Sequence, residues 1–374
     1  MIDSLISTAL NSSNSIESQL FNPIFYDLTN KNDEENFVKL LNHSSAIVVI
    51  DEIQSQLEEL IKLRNPKLKL TPSEYQQKIT EHLNGLGTNQ YGIWIYYPWL
   101  NKVVHLLNKE EFIEVRTNRN QYKITPEEEG ILATKTIGVI GLSVGKAIAL
   151  TIAMERICGE LIIADFDTIE LSNLNRIQTG VQNFGVKKTI VVAREIAEID
   201  PFLKVTCLHE GLTEENMNDF FFPNGKKIDV CIEVCDGLST KIFARQKAKE
   251  FGIPVVMDTN DNGMIDIERF DLEPKRPIFH GLIEHLDVSN IKNAITNEEK
   301  LPFVASIIGI ETISPRLKTS FTEIGKTITS WPQLASSVAL GGGITCDVSR
   351  KILLNQLIIS GRFFVNIDKI IKNN

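Results

Sequence analysis

The stretch that most constrains the fold of this chain is residues 137–188. An apolar run ends at Gly141, and a second apolar run with helical spacing follows from Gly145. A third apolar run, residues 161–164, ends at an acidic tip that begins with Asp165. This order of strand, glycine turn, helix and strand predicts a right-handed βαβ unit with a ligand crevice at the carboxyl ends of its strands.

The glycine turn and the acidic tip together predict a nucleotide site. Gly141 and Gly145 let backbone N–H groups approach a phosphate, and the N-terminus of the following helix favours negative charge. Asp165 stands 20 residues after Gly145, where a carboxylate can accept hydrogen bonds from a ribose. On these features alone, a dinucleotide fits as well as ATP.

Two cations that follow the acidic tip favour ATP. Arg176 and Lys188 come soon after the tip, within reach of the same crevice. A nicotinamide enzyme has little need for two extra cations, whereas negative charge builds on the phosphates as pyrophosphate leaves a triphosphate. The sequence therefore favours ATP as the ligand, and an NAD(P)-binding oxidoreductase is kept as an alternative.

Strands and helices continue to alternate beyond this unit, which predicts an α/β fold with a Rossmann-like, mostly parallel sheet. An alternating segment, residues 264–270, indicates an antiparallel strand after the parallel ones. Near the end of the chain, residues 333–339 lead through Gly341-Gly342-Gly343 into a predicted helix at residues 344–359. The apolar face of that helix would suit docking or dimerisation.

Residues 30–115 predict a small α+β module. Thr71, Pro72 and Glu74 mark a helix start, with Thr71 as N-cap, Pro72 at the first helical position and Glu74 near the capping-box place. Two further helices and a hairpin of strands at residues 91–97 and 102–107 complete the module. These elements suit a winged-helix-like fold, and a structural cap on the main domain explains them equally well. Residues 1–30 are weakly patterned and indicate a loose arm.

Charge and cysteine usage exclude several classes of protein. The 374-residue chain has a net charge of −9 and no long basic stripe, so we expect no nucleic-acid partner. Its 5 cysteines are odd in number and form no C-x-x-C pair, which argues against a four-thiolate zinc site and favours the reducing cytoplasm. The longest apolar stretch, residues 136–154, contains Lys146 and the glycine turn, so we expect no membrane partner.

From residue 116 to about residue 270 the chain resembles the ThiF/MoeB/ubiquitin-activating (E1-like) superfamily of adenylating enzymes. The order and spacing of several short motifs carry this resemblance. They are Asp165-Phe166-Asp167, Ser172-Asn173-Leu174-Asn175-Arg176, the Gly-x-x-Lys that ends at Lys188, and Cys235-Asp236 at a strand end.

The resemblance implies ATP and Mg²⁺ as cofactors, and it implies a role for each matching residue. Arg176 and Lys188 would bind phosphates, Asp236 would hold Mg²⁺, and Arg119 would reach the γ-phosphate across a homodimer interface. The implied catalytic residues are Arg119, Arg176, Lys188 and Asp236. The implied nucleotide-binding residues are Gly141, Ser143, Gly145, Asp165, Asp167, Asn173, Arg176 and Lys188.

The chemistry implied is attack by a peptide or small-protein carboxylate on the α-phosphorus of ATP, giving an acyl-adenylate and pyrophosphate. The family loop is usually Gly-x-Gly-Gly-x-Gly, whereas this chain has Gly141-Leu142-Ser143-Val144-Gly145-Lys146, with two glycines in place of four. Residues 259–345 contain no cysteine, and we expect Cys346 to be a buried structural thiol. We therefore expect the reaction to stop at the adenylate, or another group to capture it.

This pattern is similar to that of relatives that modify ribosomally made peptides, such as the enzymes of microcin C7 and pantocin A maturation. By this resemblance residues 1–120 would form a leader-peptide-binding module, and residues 121–374 an adenylation domain with C-terminal crossover and dimerisation helices. Maturation of a pantocin-like antibiotic is the favoured function. Activation of a ubiquitin-like or sulfur-carrier protein C-terminus, the oxidoreductase, and a binding module without turnover are the alternatives. Residues 91–281 also resemble larger bacterial proteins that fuse such a domain to a nitroreductase-like one, and we expect this chain to end before such a partner.

Structural explanations compete with several of these roles. Arg176 could form an ion pair with Asp167 or Glu170, and Arg119 could be an ordinary surface charge. Lys188 competes with Lys187 and Lys146 for the phosphate role. A polar run, residues 258–263, either makes a turn or contacts the substrate through Asp258, Asn260 and Asp261.

Overall fold

The structure is a computed structural model that describes residues 2, 6, 19–43, 46–288, 291 and 297–371. Contacts along the backbone divide the chain into two compact units, Met1–Pro126 and Glu127–Asn374. Most of the predicted loose arm lies outside the described residues.

The N-terminal unit is α+β, as predicted, and its sheet has four strands in the order β1-β3-β4-β2. Strands β3 and β4 form the predicted antiparallel hairpin. The prediction missed β1, which lies within the segment interpreted as a loose arm, and β2, which pairs in parallel with β4. The strands are β1 (Ile24–Tyr26), β2 (Val48–Asp51), β3 (Ile93–Tyr97) and β4 (Lys102–Leu106).

Among the described residues, the α-helices that accompany this sheet include α1 (Lys31–His43), α2 (Ile53–Arg64), α3 (Pro72–Leu83) and α4 (Lys109–Thr117). The predicted capping box of α3 is confirmed. The backbone N–H of Glu74 donates to the Thr71 hydroxyl at 3.4 Å, and the N–H of Thr71 donates to the Glu74 carboxylate at 2.7 Å. These bonds satisfy backbone donors that a helix start otherwise leaves without partners.

The second unit contains a seven-stranded sheet in the order β11-β10-β9-β8-β5-β6-β7. Strands β5 to β9 are parallel to one another, and β10 and β11 are antiparallel additions at one edge. The predicted Rossmann-like, mostly parallel fold is therefore confirmed. The strands are β5 (Thr136–Ile140), β6 (Glu160–Ala164), β7 (Lys204–Leu208), β8 (Val230–Glu233), β9 (Val255–Asp258), β10 (Met264–Glu268) and β11 (Gly361–Phe364).

Helices cover this sheet. The segment 213–222, interpreted as one helix, is helical over a shorter span, and β11 was not predicted. The helices are α5 (Pro126–Leu132), α6 (Gly145–Glu155), α7 (Lys188–Ile199), α8 (Met217–Phe221), α9 (Leu238–Phe251), α10 (Asn297–Ile308), α11 (Pro315–Phe321), α12 (Ala335–Leu353) and α13 (Ile367–Ile370).

The three consecutive glycines do not precede a helix, contrary to the prediction; they lie inside α12. A Cβ at Gly341 would stand 1.9 Å from Oδ2 of Asp258, and a Cβ at Gly342 would stand 3.2 Å from Ala147. The two glycines therefore let α12 pack closely against the end of β9 and against α6. The helix ends at Leu353, before the predicted end at residue 359.

All five cysteines are free, and Cys346 is fully buried, as expected of a structural thiol. Within the described part of the chain, none of the helices combines the length and the apolar character needed to cross a membrane.

Candidate functional site

A crevice opens where the carboxyl ends of β5, β6 and β8 meet. It contains about 570 Å³ of open space, and its walls include Gly141, Ser143, Asp165, Asp167 and Asp236. In this sheet β5 lies between β6 on one side and β8 on the other. Such a reversal of strand order is where open α/β sheets bind ligands.

The glycine turn keeps a glycine where the backbone requires one. Gly141 has a φ of +90°, and a Cβ there would stand 2.8 Å from the backbone nitrogen of Cys235. Leu142 is fully buried, and Ser143 is partly exposed at the crevice wall. Gly145 begins α6 and lies close to Val139, but it is not part of the crevice wall. Ser143, Val144 and Lys146, which stand where the family loop has glycines, therefore lie at positions with ordinary backbone conformations.

Asp165 is a buried wall residue that also braces the turn. Its Oδ2 accepts a hydrogen bond from the backbone N–H of Leu142 at 2.6 Å, and its Oδ1 accepts one from Asp167 at 2.8 Å. Burial raises the pKa of the Asp165 carboxyl, and the charge of Lys188 and the two N–H donors offset part of that rise. Its predicted contact with ribose stays a prediction.

Three lysines were candidates for the phosphate role, and the structure separates them. Lys188 is the first residue of α7 and only 4% exposed. Its Nζ lies 2.7 Å from the Asp167 carboxylate and 3.3 Å from the Ser143 hydroxyl, so it contacts two residues of the crevice wall. Lys146 pairs instead with Glu195 at 2.6 Å. Lys187 pairs with Glu210 at 3.0 Å.

Arg176 and Asn173 lie on one loop, and neither is part of the crevice wall. Nη1 of Arg176 donates to the Ser172 carbonyl and to the Asn175 side chain, while its buried Nε has no hydrogen-bond partner. Within the described residues, the alternative ion pair with Asp167 or Glu170 is not formed. Oδ1 of Asn173 accepts from the backbone N–H of Glu170 at 3.2 Å, so this side chain caps the loop.

Asp236 follows β8 and is exposed to solvent on the crevice wall. Desolvation by the surrounding protein raises the pKa of the Asp236 carboxyl, and the positive charges of Lys241, Arg176 and Lys188 offset part of that rise. Arg176, Lys188 and Asp236 are far apart in the sequence, yet their charges act on one another. The structure thus places Asp236 on the crevice wall and Lys188 in contact with that wall, whereas Arg176 lies outside the wall and acts on Asp236 only through its charge; the roles of all three remain predictions.

The Asp236 carboxylate fits the way in which proteins hold Mg²⁺ at phosphates. Mg²⁺ is commonly bound by one or two carboxylates together with phosphate oxygens and water. Among the described residues, no group of three or more His, Cys, Asp and Glu side chains could form a metal cage. A carboxylate on a nucleotide crevice suits a metal ion that arrives with the nucleotide.

Arg119 lies in the short 3₁₀ turn Asn118–Asn120 of the N-terminal unit. Its predicted role at the γ-phosphate across a dimer interface stays a prediction.

Sequence reasoning missed two residues at the site. Phe166 is 68% exposed and is part of the crevice wall, where its ring lies next to Gly211. An exposed aromatic ring between two aspartates at a strand end was the available signal. Glu233 is fully buried at the end of β8. A charged residue inside an apolar strand was the signal there.

Glu233 belongs to a buried ionic cluster beneath the site. Its Oε1 accepts from the backbone N–H of Cys235 at 2.9 Å and from Lys241 at 2.8 Å, and its Oε2 pairs with Arg245. Arg245 also pairs with Glu268 at 2.6 Å. Glu233, Arg245 and Glu268 are fully buried. Burial acts to raise the pKa of the Glu233 carboxyl, but the positive charges of Lys241 and Arg245 keep this pKa below its ordinary value. The cluster therefore fixes the start of the turn that carries Asp236.

A second and larger cavity of about 900 Å³ adjoins the crevice, and Val234, Cys235 and Asp236 line both spaces. Its wall also includes Asp258 and Asn260, from the segment for which a turn or a substrate contact was predicted. The turn is present, because Oδ1 of Asp258 accepts from the backbone N–H of Asn260 at 2.9 Å. The substrate contact stays a prediction.

Comparison with known proteins gives a family match over residues 118–322, to the ThiF family. The chain is 43% identical over 274 residues to uncharacterized protein MT1398 of Mycobacterium tuberculosis (strain CDC 1551 / Oshkosh), covering 73% of this chain and 38% of that protein. It is 26% identical over 127 residues to adenylyltransferase and sulfurtransferase MOCS3 of Dictyostelium discoideum, covering 33% of this chain and 29% of that protein. The chain thus spans well under half the length of these curated relatives.

Solved structures with a similar fold include MccB of E. coli with MccA-N7isoASN, at a TM-score of 0.44 and 14% identity, covering 81% of each chain. The tRNA N6-threonylcarbamoyladenosine dehydratase TcdA of E. coli in complex with ATP gives a TM-score of 0.47 and 19% identity, covering 65% of this chain and 95% of that one. The family match itself spans more than half of the chain. The chain therefore belongs to the ThiF family, as its resemblance to the ThiF/MoeB/E1-like adenylating enzymes predicted.

Proposed function

We propose that this protein uses ATP to adenylate a carboxylate on a peptide or small protein and releases pyrophosphate. The observation that supports the proposal is the crevice, in which Asp165, Asp236 and the Lys188–Asp167 pair come together around the glycine turn. Membership of the ThiF family and similarity to a protein named an adenylyltransferase support the same reaction class.

In this proposal the backbone of the glycine turn and the N-terminus of α6 hold the phosphates, and Asp165 receives the ribose hydroxyls. Lys188 turns from Asp167 towards the phosphates when the nucleotide binds. Bound at Asp236, Mg²⁺ would neutralise phosphate charge. The substrate carboxylate oxygen attacks the α-phosphorus, and the bond from that phosphorus to the oxygen of the leaving pyrophosphate breaks. The nucleophile is already ionised, so positioning and charge neutralisation supply the catalysis.

The finer assignments belong to the same proposal. The substrate is a ribosomally made precursor peptide of the pantocin-like kind, with residues 1–120 as its leader-binding module and residues 121–374 as the adenylation domain. A homodimer would place Arg119 of one subunit at the γ-phosphate in its neighbour. The C-terminus of a ubiquitin-like or sulfur-carrier protein is the alternative substrate.

Two measurements on the full chain test the proposed reaction. Calorimetry with ATP and MgCl₂ should show binding that NAD⁺ does not compete away. A pool of synthetic peptides and carrier proteins with free carboxylates should then support exchange of labelled pyrophosphate into ATP. Asp236→Asn should lower the exchange rate at least tenfold, and the matched control Asp219→Asn, an exposed position on α8, should not.

The possible failures point to different conclusions. Binding of NAD⁺ in place of ATP would favour the alternative function, an NAD(P)-binding oxidoreductase. ATP binding without exchange for any member of the pool would favour the binding module without turnover. An absence of nucleotide binding would remove the proposal.

A further inference from the structure

The larger cavity beside the nucleotide crevice has one apolar side. Side chains of α10, α11 and the segment after them form it, among them Ile307, Leu317, Phe321 and Trp331. The rings of Phe321 and Trp331 stand edge to face, 6.2 Å apart. This side of the cavity suits the apolar body of a ligand, and its aromatic faces attract a nearby cation.

Another part of the cavity wall is acidic. Asp236, Asp258 and Asp261 line it, and Lys241 is the single cation among the described residues of the wall. The charge of Lys241 is already balanced, because its Nζ lies 2.8 Å and 2.9 Å from the two oxygens of Glu233. Asp258 and Asp261 form no ion pair within the described residues, so this part of the cavity is negatively charged, which attracts a cationic ligand group and repels a carboxylate.

Polar atoms at this acidic side lack partners. Asp258 is only 6% exposed; its Oδ1 accepts from Asn260, but its Oδ2 has no hydrogen-bond partner within the described structure. The side-chain oxygen and nitrogen of Asn260 and the side-chain oxygen of Gln333 are likewise buried without partners. Burying polar atoms without partners costs free energy, so such a group is a mark of a ligand site.

We propose that this cavity binds the primary amine that captures the acyl-adenylate, and that Asp258 accepts the proton of that amine. The inference rests on the adenylation proposed above. The two spaces share Val234, Cys235 and Asp236, so an amine in the cavity is beside an adenylate in the crevice.

The reaction forms an amide. The amine nitrogen attacks the acyl carbon, and a C–N bond forms. The bond between that carbon and the phosphate oxygen breaks, and AMP leaves with its electron pair. Because the amine binds as an ammonium ion, two protons leave the nitrogen: the Asp258 carboxylate takes the first before the attack, and the phosphate of the departing AMP takes the second. Burial raises the pKa of that carboxyl to about 6, which suits a proton acceptor near neutral pH.

A thiol is a poorer nucleophile for this cavity. Cys235 is the cysteine among the described residues of its wall. Burial and the charge of Glu233 raise the pKa of the Cys235 thiol well above its ordinary value. Its reactive thiolate form is therefore scarce at neutral pH.

The test of the amine site needs no ATP and no natural substrate. Hexylamine, hexanol and hexanoate share one apolar body and differ in their head group. Hexylamine should change the fluorescence of Trp331 in the full chain, and the change should disappear in Trp331→Phe. Hexanol and hexanoate should bind at least tenfold more weakly. Equal or tighter binding of either would overturn the proposal.

Variants then test the role of Asp258. Asp258→Asn should weaken hexylamine binding at least tenfold, and Asp219→Asn should leave it unchanged. Circular dichroism verifies that each variant is folded, and Asp258→Ala serves as a second variant. Unchanged hexylamine affinity in both Asp258 variants would overturn the assignment.

The chemical step is tested separately from the adenylation. With a carboxylate that supports pyrophosphate exchange, Asp258→Asn should lower amide formation with hexylamine at least tenfold more than it lowers exchange. If the wild-type chain binds hexylamine but catalyses no exchange, the adenylation fails while the amine site stands. If exchange occurs and the Asp258 variant forms amide at the wild-type rate, the proton-accepting role is refuted.

Discussion

Replacing Asp258 by asparagine should stabilise the folded protein at alkaline pH. Burial raises the pKa of the Asp258 carboxyl to about 6, against an ordinary value near 3.8. A folded-state pKa above the unfolded-state value means that the fold favours the protonated form. The charge therefore costs nothing below about pH 4, and its cost grows as pH rises through about 6.

The magnitude follows from the size of the shift. About two pKa units at roughly 1.36 kcal/mol each give a cost of about 3 kcal/mol above pH 7, and about 1 kcal/mol at pH 4.5. Asparagine carries no charge and keeps an oxygen for the N–H of Asn260. The asparagine N–H₂ group takes the place of Oδ2, which has no hydrogen-bond partner. A buried donor without a partner offsets about 1–2 kcal/mol of the stabilisation at every pH.

Equilibrium urea unfolding of the full chain, followed by circular dichroism, measures the effect. The free energy of unfolding of Asp258→Asn minus that of wild type should be about 2 kcal/mol more positive at pH 8 than at pH 4.5. Asp219→Asn, at an exposed position, should show no such difference. The reasoning is refuted if the gain is the same at the two pH values, or larger at the acidic one.

Three further changes have directions set by the structure. Lys188→Gln should lower pyrophosphate exchange at least tenfold in a substrate-supported assay. Lys187→Gln should leave the exchange rate near wild type, because neither Lys187 nor its partner Glu210 is part of the crevice wall. Gly341→Ala should lower the melting temperature, because its Cβ would stand 1.9 Å from a carboxylate oxygen. Gly343→Ala, whose Cβ would have nothing within 4 Å, should raise the free energy of unfolding by about 0.5–1 kcal/mol. Equal shifts in the two variants would contradict this reasoning. Arg245→Met should cost about 3–5 kcal/mol in urea unfolding, since two buried carboxylates lose a shared partner, and a neutral result would show that the cluster relaxes.

The sequence predicted the parallel sheet well because each strand and helix there has a strong local signal. Buried strands such as β5 and β6 are continuous apolar runs, and Gly141 and Asp165 follow them at the spacing of a nucleotide turn. The same spacing located the crevice. These are features of consecutive residues, so one sequence suffices to find them.

What the sequence did not reveal depends on contacts between distant segments. Strands β1 and β2 have three and four residues, and only their pairing with the hairpin makes them strands. Gly341 and Gly342 were interpreted as a break, because nothing in their neighbourhood shows that Asp258 and Ala147 approach them. In a packed interface a glycine makes room for its neighbour, whereas the same residue in isolation weakens a helix.

The competition among the lysines could not be resolved from spacing either. Lys146 follows the glycine turn directly, where a phosphate-binding lysine is often found, but Glu195 and the Gln178 carbonyl hold its Nζ. Glu195 is 49 residues away in the sequence. Only the packing of α7 beside α6 shows that this lysine is already paired.

The crevice and the larger cavity share the lining residues Val234, Cys235 and Asp236, and this sharing has a thermodynamic consequence. A ligand in either space would contact the same three residues, so we expect the binding of one ligand to change the affinity for the other. Linkage requires that saturating the protein with nucleotide change its affinity for hexylamine by the same factor as saturating hexylamine changes its affinity for nucleotide. A pair of reciprocal titrations would thus measure the coupling free energy between nucleotide binding in the crevice and hexylamine binding in the larger cavity.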